Sequence, residues 1–140
     1  MAEVTLTAHI GGTDAAVALG DVVLKLRRAL KLLQGKQYSS QIEKFRFYLM
    51  VSGEITDFKK PSGCVGLRLM KKDKYVKLDI VVGKEIWRGA DQRAIKKRLA
   101  DFILEAFEMA IAKMKKEKID VKEDELINDV KNIVLKEFLN

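Results

Sequence analysis

The residue types that turn over substrate are scarce in this chain, and their spacing limits them further. His9 is the only histidine and Cys64 the only cysteine. A serine or thiol nucleophile needs a base within hydrogen-bond reach and a third group to orient that base. Both residues fall on segments with strand-like alternation, and Cys64 shares no motif with its neighbours. Zinc and iron sites typically need paired histidines or cysteines at short spacing; no such pair occurs, and one histidine cannot anchor a typical site. Gly11 and Gly12 stand between a strand pattern and a helix pattern, as phosphate loops do. No further glycine and no Gly-Lys-Ser/Thr ending follows, so the pair reads as a turn. The expectation is a protein without catalytic residues, metal or cofactor.

Groups suited to binding are better supplied. If Phe45, Val65 and Val76 face a core, the opposite side of the same alternating segments carries Arg46, Tyr48, Arg68, Met70, Tyr75, Lys77 and Asp79. Arginine and aromatic side chains on an open surface are the types that dominate interface energetics. A second candidate lies from Glu117 to Asp129. There Glu117, Asp120, Glu123, Asp124, Glu125 and Asp129 stand against only Lys118 and Lys122, an acidic run in a chain of formal charge +7. Carboxylates in a first helical turn complement the helix dipole, which accounts for Glu123 to Glu125 and less well for Asp129. The third is Trp87 in "KLDIVVGKEIWRGADQ" (Lys77 to Gln92), bracketed by Gly83 and Gly89. It reads first as a ring packed under the start of the next helix, and second as an exposed anchor for a partner.

The elements that must position these groups follow from periodicity. Val4, Leu6, Ala8 and Ile10 alternate with polar residues, the period of a half-buried strand. Thr13 or Asp14 can cap a helix with Val17, Val23, Leu24, Leu30 and Leu33 at helical spacing, and Gly35 can end it. Three further alternating runs centre on Phe45 to Val51, Val65 to Leu69 and Val76 to Val82. The last two are joined by "KKDK" (Lys71 to Lys74) as a hairpin. Asp91 stands as N-cap of a long helix with Ile95, Leu99, Phe102, Ile103, Ala106, Phe107, Ala110 and Met114 on one stripe. Asp120 stands as cap of a closing helix with Leu126, Ile127, Val130, Ile133, Val134 and Phe138 inward. Ile55 and Phe58, in the loop before Pro61, are left over as an interface or as cover for a core edge. The order β-α-β-β-β-α-α predicts an α+β fold: one two-layer domain over residues 1–140, with an antiparallel four-stranded sheet and helices mainly on one face.

The totals agree with one folded domain. A chain of 140 residues, 48% hydrophobic and 34% charged with one proline, can bury a real core and is not of disordered composition. No apolar run approaches the roughly 18 residues a membrane helix needs, and the N-terminus lacks a secretory pattern. With one cysteine no internal disulfide can form, so a cytoplasmic setting and no membrane partner are expected. The basic balance suits an acidic partner, nucleic acid or protein, or simply keeps the domain soluble.

The order of elements, and above all the segment from Tyr75 to Leu139, resembles immunity proteins of bacterial polymorphic-toxin and contact-dependent inhibition systems. The resembling pieces are "EVTLTAHI" with the helix after it, "YVKLDIVV", a corner ending in "GADQ", the helix "RAIKKRLADFILEAFEMAIAKMKKEKID" and the closing "EDELINDVKNIVLKEFL". The resemblance implies a protein that binds the C-terminal domain of one cognate toxin, often a nuclease, and blocks its active site or substrate access. It carries over no individual binding residue, and it leaves the toxin, the docking surface and the oligomeric state open. Partners of nucleases are commonly acidic, and this chain departs from that by being net basic.

The alternative is a nucleic-acid-binding module. Lys71, Lys72 and Lys74 in a hairpin turn, with Lys96, Lys97 and Arg98 on the next helix, resemble the phosphate-contacting parts of a double-stranded-RNA-binding domain. The triplet sits in the helix's second turn behind Asp91, and the first strand and closing helix fit that domain poorly. Only weak, salt-dependent, non-specific nucleic-acid binding is therefore expected. A small enzyme built on Cys64 or a carboxylate pair is a third and weaker reading.

Overall fold

A computed structural model describes residues 3–10, 13–52, 62–71, 75–82 and 92–139, with side chains for 3–8, 20–49, 66–71, 93 and 96–139. The chain forms β1 (Glu3–Ile10), α1 (Thr13–Lys31), β2 (Ile42–Ser52), β3 (Ser62–Lys71), β4 (Tyr75–Val82), α2 (Gln92–Lys116) and α3 (Glu123–Asn132). A π-helical segment, Ile133–Phe138, continues from α3 and carries the last buried side chains.

The four strands lie in sequence order, β1-β2-β3-β4. The β2–β3 and β3–β4 pairs are antiparallel. The β1–β2 pair is parallel, so the expected all-antiparallel sheet is a mixed one. The reason is the connection: α1 carries the chain back along the sheet, and a strand entered after such a crossover runs the same way as the one before it. The closing segment also differs from the single helix expected, since it changes from α to π geometry at Ile133.

Strand alternation sends Phe45, Phe47 and Leu49 of β2 and Leu67 and Leu69 of β3 to one buried face. Register places Phe45 opposite Leu69 and Phe47 opposite Leu67, so these side chains form a continuous apolar row. Phe107 of α2 packs on that row, its ring centroid 5.1 Å from Phe47 and 6.2 Å from Phe45. Fully burying a side chain of this size contributes about 1.5–3 kcal/mol, which makes Phe107 the anchor of the helical layer. The stripe Leu99, Ile103, Ala106, Phe107, Ala110 and Met114 is buried as its spacing predicts, and so are Leu126, Val130, Ile133, Val134 and Phe138. In α1 the inward set is Val22, Leu26, Ala29, Leu30 and Leu33. Leu24, expected inward, is 44% exposed because it lies between the turns that face the sheet.

Two helix ends decide where the polar groups fall. After α1 the chain tightens through i→i−3 hydrogen bonds and reaches Gly35 at φ 86°, a left-handed conformation that glycine adopts without steric penalty. At the end of α2 the same conformation falls on Lys118, φ 59°. The Ile119 N–H reaches the Met114 carbonyl at 2.8 Å and the Lys118 N–H reaches the Lys115 carbonyl at 3.1 Å. This is a Schellman closure, with Ile119 and Met114 both buried beside it. It delivers Asp120 to the loop between α1 and β2 rather than to the next helix. The residue before α3 is Lys122, with no side-chain cap, so the expected capping role of Asp120 does not hold.

Candidate partner-binding site

The sheet face away from the helices is laid out by register. One row runs Thr5–Arg46–Arg68–Lys77 across all four strands, and the next runs Thr7–Tyr48–Gly66–Asp79. Arg46 and Arg68 are thus directly opposite each other and both half-buried. Two cations in that position repel, and Tyr48 is placed to offset the repulsion. Arg46 Nη1 donates to Tyr48 Oη at 3.5 Å, and the Arg68 guanidinium lies 5.0 Å from the Tyr48 ring centroid. A cation over an aromatic face gains about 0.5–1 kcal/mol at an exposed site, so the group is held as a unit. Gly66, across from Tyr48, is buried although it has no side chain of its own, which shows that its neighbours cover it. At the near edge of the same face Lys44 pairs with Glu3 at 3.2 Å. Tyr75 lies opposite Met70 and Asp79 opposite Gly66 by backbone register, and their side chains lie outside the described residues.

The acidic stretch has a different character. Ser40 donates to Asp120 twice, from its hydroxyl at 2.6 Å and its backbone N–H at 2.9 Å. Those two bonds, the hydroxyl first, hold the Asp120 carboxyl below its usual range. Asp129 accepts from the Tyr38 hydroxyl at 2.7 Å and from Lys36 Nζ at 3.0 Å. Partial burial pushes the Asp129 carboxyl up, but those bonds outweigh it and leave the group below the ordinary carboxylate value. Burial, then the bond to Asp129, then the negative charges of Asp129 and Glu125 push the Tyr38 phenol far above its ordinary value. Glu123 pairs with Lys115. The backbone reinforces the seam, since the Lys122 N–H donates to the Tyr38 carbonyl at 2.7 Å. Glu117, Asp124 and Glu125 remain exposed.

Sequence reading alone missed Lys36, Tyr38 and Ser40 as the partners of these carboxylates. The one available hint was a polar loop holding an aromatic residue between a helix and a strand. Lys96 of the basic triplet faces Lys25 of α1; burial, then the Lys25 charge, lowers its pKa, while Lys97 and Arg98 are exposed. Register also places His9, Met50 and Cys64 in one row. Strands lie about 4.8 Å apart, so the His9 and Cys64 backbones are about 10 Å apart with β2 between them. No group of three His, Cys, Asp or Glu among the described residues is placed to hold a metal ion. Trp87, Asp91, Ile55, Phe58, Lys72 and Lys74 lie outside the described residues.

The outer sheet face thus has an arginine–tyrosine centre held in strand register. The family model of immunity protein 44 matches residues 3–136, which is nearly the whole chain. The chain belongs to the immunity protein 44 family. The match begins in β1 and runs into the π-helical segment, so both the sheet and the helical layer belong to the immunity-protein domain. No curated protein and no solved structure matches the chain. No helix among the described residues of this immunity protein is long and apolar enough to cross a membrane.

Proposed function

We propose that this immunity protein neutralises the C-terminal domain of one cognate polymorphic or contact-dependent inhibition toxin in the bacterial cytoplasm, by covering its active site or substrate entry. The observation that carries this reading is family membership across nearly the whole chain. Such a task calls for binding without turnover, through a preformed surface whose charge pattern speeds association and excludes other toxins.

The docking surface is the open sheet face centred on Arg46, Tyr48 and Arg68 and continuing through the positions of Tyr75 and Asp79 on β4. Three features support it. The side chains are interface-forming types, the sheet backbone holds them in fixed register, and the stacking of Arg68 on Tyr48 orders them before a partner arrives. Of the acidic residues, Asp120, Glu123 and Asp129 already have internal partners, which leaves Glu117, Asp124 and Glu125 for a lesser contact at the rim. With the chain at +7, the toxin surface that meets this face is acidic.

Co-expression with the toxin domain encoded beside this gene tests the function: growth is restored and the two proteins co-purify. Continued growth inhibition in the presence of folded immunity protein overturns the assignment.

A further inference from the structure

We propose that the free edge of β1 receives an extended, carboxylate-bearing segment of the toxin domain as an additional strand, an inference that rests on the toxin-binding reading above. Among the described residues β1 is an end strand of the sheet, paired only with β2. The outward backbone groups of an edge strand are a template for another chain, and proteins usually blunt such edges with lysine, proline or a bulge. β1, "EVTLTAHI", has no lysine or proline, and its register with β2 runs unbroken from Glu3 to Ile10. The opposite edge differs, since β4 carries Lys77 and Asp79.

A groove of about 250 Å³ lies along this edge. Three consecutive strand residues, Val4, Thr5 and Leu6, line it together with Arg27, Leu30 and Lys31 of α1. Consecutive residues point to opposite sheet faces, so a cavity touching all three lies against the strand's edge. Its floor is apolar, formed by Val4, Leu6 and Leu30, and its rim is cationic. Arg27 and Lys31 are one helical turn apart and exposed, and neither has a carboxylate partner among the described residues. The one acidic residue of β1, Glu3, is engaged with Lys44. A strand alternating apolar and acidic side chains satisfies every wall of this groove. Its backbone pairs with β1, its apolar groups pack on half-buried Leu6 above buried Val4 and Leu30, and its carboxylates meet Arg27 and Lys31.

Amide hydrogen exchange on the full chain, alone and with the toxin domain encoded beside this gene, tests the proposal together with the double variant Arg27→Glu, Lys31→Glu. On complex formation the β1 amides between Glu3 and Ile10 slow. The double variant unfolds at the wild-type midpoint but binds about tenfold more weakly or worse. If the wild-type protein forms no complex, the toxin-binding reading fails and this inference fails with it. If the complex forms while β1 exchange is unchanged, or the double variant binds like wild type, strand addition is overturned and the toxin-binding reading stands. A free protein that sediments as a dimer with β1 already protected would make a second copy the occupant, which also overturns it.

Discussion

The outer face of the sheet and the seam between α3 and the loop after α1 are both rich in charge, yet they hold it with different partners. On the seam, Asp129 accepts from Tyr38 and Lys36, and Asp120 takes both donors of Ser40. On the sheet face, Arg46 and Arg68 stand side by side, the first donating to the Tyr48 hydroxyl and the second lying over the Tyr48 ring. The seam uses charge to close the fold. The sheet face holds half-buried arginines in strand register around one tyrosine. Local charge density therefore says little about availability, because a carboxylate bonded inside the molecule has part of its accepting capacity already committed.

The largest effects that bear on this contrast come from removing the seam. Asp129→Ala leaves the Tyr38 hydroxyl without its acceptor, so equilibrium urea unfolding shows a loss of about 1–2 kcal/mol. Toxin affinity measured on the folded fraction stays unchanged. A stability equal to wild type would mean that the seam is no closure. The converse change, Arg68→Glu, acts on association. Stopped-flow on-rates with the toxin domain fall about tenfold at low salt, and less at high salt, while the unfolding midpoint serves as control. An unchanged on-rate would move the docking surface off the sheet.

A subtler change sharpens the seam's geometry. Lys118 holds a left-handed backbone that disfavours a side chain, so Lys118→Gly raises stability by about 1 kcal/mol in the same urea experiment. Titration adds a sign. The Tyr38 phenol has its folded pKa raised above the ordinary 10.0, so its contribution is complete below about pH 10 and fades as pH rises beyond it. Tyr38→Phe removes that alkaline fall. Asp129 and Asp120 are depressed, so their contributions are present above the ordinary carboxylate value of 3.8 and fade as pH falls through their folded pKa values. Asparagine at either position flattens the acid limb of the stability curve.

The smallest effect is the double reversal Asp124→Lys, Glu125→Lys. These exposed side chains alter stability by no more than about 0.5 kcal/mol. Their on-rate shifts less than that of Arg68→Glu. A larger fall would return the acidic stretch to the centre of docking.

Much of the architecture was legible because it is local. A period of two in Phe45, Phe47 and Leu49, and of 3.6 in Leu99, Ile103, Phe107 and Met114, is a backbone property that each segment carries alone. The same alternation put Arg46, Tyr48 and Arg68 on one outward face. Leu24 misled because several apolar residues of α1 compete for the buried stripe, and only packing against β1 and its neighbours decides which turn faces in. Asp120 misled because a cap is a local pattern, whereas its real donors on Ser40 lie 80 positions away.

By itself, then, the chain determined its segments, the faces those segments turn inward, and the likeness to immunity proteins that the match over residues 3–136 bears out. Tertiary structure alone decided that β1 runs parallel to β2, that Asp129 meets Lys36 across 93 positions, and that Arg27 and Lys31 line one groove with Val4, Thr5 and Leu6 of β1. The physical reason is range. Periodicity and helix termination are set within a few residues, whereas strand direction and the choice of charge partner depend on which distant segments the core brings together.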